Sequence, residues 1–97
     1  MANYITLFKL TQQGAETVKD IPNRVEQNRP RMQKLGIELK SWHVTMGPYD
    51  IVAVYEAPND EAAAQLALGI CATGNASTHT MRAFTMDEFK KIVSALP

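Results

Sequence analysis

The chain has no excess of charge of either sign and no long apolar run. Its 97 residues include ten basic and ten acidic side chains, so the formal net charge is zero. Such a chain has no long-range field that would attract nucleic acid or anionic lipid. No stretch approaches the roughly 20 apolar residues of a membrane-spanning helix, and the beginning, MANYITLFKL, lacks the pattern of a signal peptide. We therefore expect a cytoplasmic protein that binds neither nucleic acid nor membrane.

Cysteine and histidine are also scarce. Cys71 is the only cysteine, which excludes an intrachain disulfide and a cysteine cluster for zinc. We interpret it as a small packing residue near a helix end, because no neighbouring sequence suggests a base that would activate the thiol. His43 and His79 are the only histidines, and no metal-binding motif accompanies them. The sequence predicts no metal site and no cofactor, although either histidine has a side chain that can ligate haem iron.

Four segments have the composition and alternation of β-strands. They are rich in β-branched and aromatic residues, and turn residues separate them. The second and third flank Gly47-Pro48 and are predicted to form a hairpin. The predicted strands are Tyr4 to Leu10, Glu38 to Met46, Tyr49 or Asp50 to Glu56, and Ser77 to Thr85.

Helical spacing of apolar residues fills the regions between these strands. The first helix is predicted to begin near Pro22 and to end before Gly36; Pro30 inside it predicts a kink or the start of a new segment. The preceding TQQGAETVKD is expected to form a separate short turn of helix. Asn59 or Asp60 caps the second helix, and the T-x-x-E sequence from Thr85 predicts a capping box for a short C-terminal helix.

The predicted order β-α-β-β-α-β with a terminal helix is the split βαβ, or ferredoxin-like, plan of an α+β protein. Both helices then cover one face of a four-stranded antiparallel sheet and leave the other face bare. We assign Ile5 and Leu7 to the helix-covered face. The bare face is then expected to carry Tyr4, Thr6, Phe8, Thr80, Arg82 and Phe84. Pairing with the sheet of a second copy would cover this face and leave a cavity between the sheets.

The sequence resembles the GYD domain family over essentially its whole length. The resemblance is carried by YITLFKLTQQG, TMGPYD, VAVYEAPNDEAAAQLAL and TMRAFTMDEFKKIVSALP, with the naming triplet at Gly47, Tyr49 and Asp50. Pro30 and Pro48 depart from the family pattern. The resemblance implies one ferredoxin-like domain over residues 1–97 and places it with the dimeric α/β barrels. That superfamily includes cofactor-free monooxygenases, isomerases, haem enzymes and ligand-sensing domains, so the fold does not choose among these activities.

The stretch TMGPYD is open to two interpretations. A tight turn needs glycine, proline and aspartate for geometric reasons, with Asp50 accepting hydrogen bonds from N–H groups of the turn. Alternatively, Tyr49 and Asp50 lie at the rim of a cavity, where a phenol and a carboxylate orient a ligand or move a proton. Tyr49 is the residue that the turn does not need. We favour the turn, with Tyr49 as the better site candidate.

Two further residues are candidates because of the face they are expected to occupy. His43 is expected to face the cavity, because successive strand residues point to opposite faces and its neighbour Trp42 is expected to face the core. Arg82 lies on an otherwise uncharged strand and needs either a carboxylate, such as Asp50 or Glu56 of a second copy, or an anionic ligand. The complete set of candidate ligand-binding residues is Tyr4, Thr6, Phe8, His43, Tyr49, Asp50, Thr80 and Arg82.

Three functions remain open at this point. We favour a homodimer or higher oligomer that binds a small organic, and potentially anionic, ligand between paired sheets. The first alternative is a cofactor-free or haem-type enzyme of the dimeric α/β barrel kind, with Tyr49, Asp50, His43 and Arg82 as acid, base and anchor. The second is a structural or regulatory oligomer that fills its own cavity with side chains.

Overall fold

A computed structural model describes residues 1–97 as one four-stranded antiparallel sheet with four α-helices. The strands are ordered β2-β3-β1-β4, and each neighbouring pair is antiparallel. This arrangement confirms the predicted ferredoxin-like fold. In chain order the elements are β1 (Ala2–Leu10), α1 (Gln12–Glu16), a 3-10 turn (Val18–Asp20), α2 (Ile21–Lys34), β2 (Glu38–Val44), β3 (Ile51–Ala57), α3 (Asp60–Cys71), β4 (Ala76–Ala83) and α4 (Met86–Ser94).

The helices begin where the sequence supplies capping side chains. Thr11 caps the short helix α1, which confirms the separate helical turn expected before α2. The Asn59 side chain accepts a hydrogen bond from the Ala62 N–H at 2.9 Å and caps α3. Thr85 and Glu88 exchange two hydrogen bonds, of 3.1 and 2.9 Å, in the predicted capping box of α4. Each cap satisfies backbone N–H groups that the first helical turn leaves without partners.

Pro30 does not start a new segment. Helix α2 continues through it to Lys34, so this part of the expectation was wrong. The chain then turns at Gly36, whose φ of 73° is the left-handed conformation that commonly ends a helix. None of the residues of α2 is fully buried, so the helix lies on the sheet without a tight fit.

The two faces of β1 are the reverse of those assigned from the sequence. Tyr4 and Thr6 are only 3% and 2% exposed, and Phe8 is buried with them under the helices. Ile5 and Leu7 lie on the opposite face. The same reversal applies to β4, where Thr80 pairs with Thr6, and Arg82 with Tyr4, on the helix-covered face.

The small side chains of α3 explain this reversal. The buried positions of the helix are Ala62, Ala63 and Leu66, and two of these three side chains are single methyl groups. A helix with such a thin apolar face leaves space above the sheet, and a close-packed interior must fill that space. The aromatic rings of Tyr4 and Tyr55, which stack with centroids 5.8 Å apart, supply the volume that aliphatic residues would not.

The other face of the sheet has no helix on it, and we call it the open face. His43 lies there, as expected, because it pairs with Val52. The centre of the face is aliphatic, and Met81 on β4 is 45% exposed. The central residues of the open face are Ile5, Leu7, Val52, Val54 and Met81.

Helix α4 presents a second apolar surface without a partner in the chain. This surface, on α4 and its C-terminal end, consists of the exposed side chains of Met86, Phe89, Ile92, Val93 and Leu96.

The protein is elongated, with dimensions of 51 × 31 × 19 Å. No helix is both long and apolar enough to cross a membrane.

Candidate functional site

The TMGPYD segment is tied to the end of β1. The Asp50 carboxylate accepts a hydrogen bond from the Leu10 N–H at 2.8 Å, and the Asp50 N–H donates to the Phe8 carbonyl, also at 2.8 Å. Gly47 has a φ of 113°, which residues with a side chain rarely adopt. Asp50 therefore holds the hairpin connection against β1. The sequence predicted that the Asp50 carboxylate accepts a hydrogen bond, but the donor, the Leu10 N–H, lies on β1 and not within the turn.

Tyr49 lies against His79. Their rings are arranged edge to face, with centroids 5.5 Å apart and planes at 84°. His79 pairs with Leu7 in the sheet register and is therefore on the open face. Tyr49 and His43 thus belong with the open face, and Asp50 with the end of β1. No group of three or more histidine, cysteine, aspartate or glutamate side chains is placed to hold a metal ion.

A network of hydrogen-bonded hydroxyl groups, in two separate parts, lies on the helix-covered face. The Tyr4 hydroxyl is hydrogen-bonded to the Asp60 carboxylate at the start of α3. Thr6 links the Tyr55 hydroxyl, at 2.8 Å, to the Thr80 hydroxyl, at 3.0 Å. These bonds satisfy the polar atoms of Tyr4, Thr6 and Tyr55, whose side chains are buried away from water. The network fixes the hydroxyl groups of Tyr4 and Thr80 in position.

The Asp60 carboxylate controls the protonation of Tyr4. Its hydrogen bond to the phenol, together with burial, raises the pKa of Tyr4 to about 12. Arg82 opposes this effect weakly, because its positive charge favours the phenolate. At neutral pH the phenol keeps its proton, so it acts as a hydrogen-bond donor and not as a base.

Arg82 extends across two aromatic rings. Its guanidinium carbon is 5.7 Å from the centroid of Tyr4 and 4.6 Å from that of Phe84, which is within cation–π distance. Its carboxylate partner in the chain is Glu88 of α4, at 3.8 Å, and both side chains are more than a third exposed. A hydrogen bond from the Thr85 backbone lowers the pKa of Glu88, so its carboxylate is charged at neutral pH. The sequence did not predict this pair.

These groups surround an open groove between α3 and β4, which we call the α3–β4 groove. Its volume is about 530 Å³. One wall is the methyl-rich side of α3, and the other is formed by hydroxyl groups and the Arg82 guanidinium on the sheet. The lining residues are Tyr4, Asp60, Ala63, Ala64, Ala67, Leu68, Thr78, Thr80 and Arg82.

The structure brings together only some of the candidate residues named from the sequence. Tyr4, Thr80 and Arg82 line the α3–β4 groove, and Thr6 lies beneath it, bonded to Thr80. Phe8 lies under α2 instead. His43, Tyr49 and Asp50 are elsewhere, as described above. The groove lies between sheet and helix, so these residues do not face the space between paired sheets that the sequence had suggested.

Asp60 and Thr78 are groove residues that sequence reasoning missed. Asp60 was considered only as a helix cap, and its hydrogen bond to Tyr4 spans 56 residues of chain. Thr78 was assigned to β4, two residues before Thr80. It therefore lies on the same face as Thr80, and this could have identified it once the faces were known. The arrangement combines a fixed cation, hydroxyl donors and an apolar wall, and this chemistry suits an organic molecule with an anionic group.

Comparisons with known proteins identify the family of the chain. The model of the GYD domain matches residues 4–93. A protein of Thermus thermophilus, named glutamine synthetase and cystathionine beta-lyase binding protein, is 31% identical over 84 residues. The matched region covers 86% of this chain and 88% of that protein. No solved structure shows a significant match.

Proposed function

Since the chain belongs to the GYD domain family, we propose that it is a homodimeric binding protein that takes a small organic anion in the α3–β4 groove. The observation that carries this proposal is the placement of Arg82. Its guanidinium lies at the groove, supported by two aromatic rings, and its only carboxylate partner is 3.8 Å away on an exposed helix. Such an exposed pair contributes about 0–1 kcal/mol, so a ligand carboxylate can replace Glu88 at little cost.

The rest of the groove supports a ligand with an apolar body. Thr78 and Thr80 offer hydroxyl groups near the guanidinium, while Ala63, Ala64 and Ala67 form an apolar wall opposite. A carboxylate joined to an aliphatic or aromatic group would place its charge on Arg82 and its body along α3. The Asp60 carboxylate, already bonded to Tyr4, disfavours a second negative charge at that end of the groove.

The open face supports the homodimer. Its centre is formed by Ile5, Leu7, Val52, Val54 and Met81, and such a contiguous apolar surface is typical of an interface. Sheet-on-sheet pairing of two copies covers both open faces at once, because an interface around a twofold axis uses the same surface twice. The groove lies on the opposite side of the sheet and stays accessible in this dimer. A cytoplasmic location is part of the same proposal.

A binding panel tests the anion site. Small carboxylic acids with aliphatic or aromatic bodies are added to the protein, and the unfolding temperature and the heat of binding are measured. An acid at about a hundred times its Kd adds about 2.7 kcal/mol to the free energy of unfolding. Arg82→Met is expected to lose this stabilisation, and Arg82→Lys to retain part of it.

Lys9→Met is the matched control, because Lys9 is an exposed cation of β1 that lies away from the groove and bonds the Pro48 carbonyl. It is expected to bind acids as the original protein does. Equal losses of binding in Arg82→Met and Lys9→Met would indicate general charge attraction and would contradict a specific site.

A second candidate function is binding to another enzyme. It is favoured by the apolar surface of α4, an amphipathic helix of the kind that docks in a partner's groove, and by the name of the Thermus relative. The test measures binding of the protein to purified glutamine synthetase and cystathionine beta-lyase of its own organism. Phe89→Asp is expected to abolish binding, whereas Asp87→Ala on the same helix leaves it unchanged. Equal binding by Phe89→Asp would exclude this surface.

A further inference from the structure

Two adjoining cavities lie between α2 and the helix-covered face of the sheet. The larger has a volume of about 160 Å³ and the smaller of about 50 Å³, and five residues line both: Phe8, Val25, Asn28, Trp42 and Ile70. We call the two together the α2 chamber. It is separated from the α3–β4 groove, with which it shares no lining residue.

The chamber exists because α2 is not tightly packed on the sheet. The residues of α2 that face the sheet follow helical spacing, namely Ile21, Val25, Asn28 and Met32, yet none of them is fully buried. Protein interiors are normally packed without voids larger than a water molecule. The two cavities are partly open to solvent and largely apolar, so they offer room for a ligand that displaces water.

Asn28 is the polar residue in this apolar stripe. The side-chain hydrogen bonds of α2 are made by Asn23, Arg24 and Arg29, and the Asn28 amide makes none. The amide lines both cavities and carries both donors and an acceptor. The Asn28 side chain is half-buried, so its amide can bond either water or a polar atom of a ligand in the chamber.

The charge around the chamber favours a neutral ligand. Arg24 is the only charged residue in its lining. Its guanidinium is already paired with Asp20 at 3.4 Å and donates to the Thr17 carbonyl at 3.0 Å. An anion in the chamber would lose its water without gaining an unpaired cation, and this costs free energy.

We propose that the α2 chamber binds a neutral monocyclic aromatic compound with one hydrogen-bonding group, of the phenol class. The ring lies among Phe8, Trp42 and Ile70, and the hydroxyl group meets the Asn28 amide. The size fits, because an apolar cavity of about 150 Å³ is known to hold benzene. This ligand class differs from the organic anion of the α3–β4 groove, and the inference does not depend on that site.

The only tryptophan of the chain gives a direct signal for this binding. Trp42 lines both cavities, so its fluorescence reports on their contents. Phenol, toluene and benzoate are each titrated into the protein, and calorimetry repeats the titrations without an optical signal. We expect phenol to bind best, toluene more weakly and benzoate least. If neither neutral compound binds at millimolar concentration, the proposal is wrong.

Substitution of Asn28 tests the role of the amide. Asn28→Leu is expected to lower the affinity for phenol roughly three- to tenfold, which corresponds to the loss of one hydrogen bond, and to leave the affinity for toluene unchanged or higher. Equal losses for both compounds would contradict a hydrogen bond to Asn28.

Filling the chamber tests the location. Ala76→Leu adds bulk to the lining of the larger cavity and is expected to abolish phenol binding. Val25→Phe adds bulk from the α2 side of the chamber and serves as a second filled variant should Ala76→Leu fail to fold. Ala64→Leu adds the same bulk in the α3–β4 groove and is expected to bind phenol normally, as is Arg82→Met. Unchanged phenol binding by a folded filled variant would overturn the proposal.

Discussion

The two faces of the sheet are built from the same four strands but differ in what lies on them. On the helix-covered face, aromatic and hydroxyl side chains form a hydrogen-bonded network, and the buried core is concentrated there. On the open face, the central residues are aliphatic and the histidines lie among them. This placement is the reverse of the one assigned from the sequence, although the core under the helices also contains aliphatic residues such as Ile51 and Leu66.

The reversal fits the separate roles that we propose for the two faces. An alanine-rich helix leaves space above the sheet, and part of that space remains as a groove with a cation at its side. Aliphatic residues on an uncovered sheet gain little unless another surface covers them. The helix-covered face is therefore suited to a ligand, and the open face to a second copy of the chain.

The largest expected effect comes from two neighbouring residues of β3 that point to opposite faces. Tyr55 is 1% exposed and bonded to Thr6, whereas Val54 is half-buried on the open face. Tyr55→Ala is expected to lower the free energy of unfolding by about 3–5 kcal/mol, through lost burial and a cavity. Val54→Ala is expected to cost less than about 1.5 kcal/mol, by an amount that depends on protein concentration. Urea unfolding at two concentrations checks both values.

A charge on the open face tests the proposed pairing. Leu7→Asp places a carboxylate at the centre of the aliphatic surface, where burial in an interface is unfavourable. We expect the dissociation constant of the dimer to rise at least about a hundredfold, which corresponds to about 2.7 kcal/mol. The secondary structure by circular dichroism is expected to be unchanged. A dimer as stable as that of the original protein would exclude the open face as the interface.

Alkaline pH tests the polar network on the helix-covered face. The pKa of Tyr4 is raised to about 12 in the folded protein, so folding favours the neutral phenol. This contribution is complete below pH 10, the ordinary value for tyrosine, and is lost as the pH rises towards 12. It amounts to roughly 2–3 kcal/mol. Tyr4→Phe is expected to lose less stability than the original protein between these pH values; parallel pH profiles would contradict the coupling to Asp60.

The smallest effect concerns the stability contribution of Arg82. Its pair with Glu88 is partly exposed and 3.8 Å long, so Arg82→Met is expected to change the free energy of unfolding by less than about 1 kcal/mol. A loss of roughly 3–5 kcal/mol with dissociation into monomers would instead indicate a buried salt bridge to a second copy. Thermal unfolding and sedimentation of this variant distinguish the two roles.

Most of the fold followed from the sequence, because its signals are local. Turn residues, helix spacing and caps such as Asn59 and the Thr85 capping box specify where each element starts, and the order of elements then specifies the ferredoxin-like plan. The assignment of residues to the two faces of the sheet did not follow from the sequence. Both residue sets of β1 are largely apolar, so alternation alone cannot say which set faces the helices. Only the thin apolar side of α3 decides between them.

The site was less predictable, since it depends on contacts between distant segments. Arg82 was identified as the charge on an otherwise uncharged strand, and Thr80 was identified because it shares a face with Arg82; both line the α3–β4 groove. Asp60 and Glu88, which bond to Tyr4 and pair with Arg82, stand in helix-capping positions and were explained by that role alone. Tyr49 and Asp50 were candidates because they were expected at the rim of a cavity, yet Asp50 fastens the hairpin connection to β1.

The separate roles of the two faces are tested most directly by the mass of the protein in solution. Sedimentation equilibrium at micromolar concentration measures it without any variant or ligand. Pairing through the open face predicts a dimer, with burial of about 800 Å² per copy as in typical stable interfaces. A monomer at this concentration would mean that the aliphatic open face remains in water, and would contradict the account.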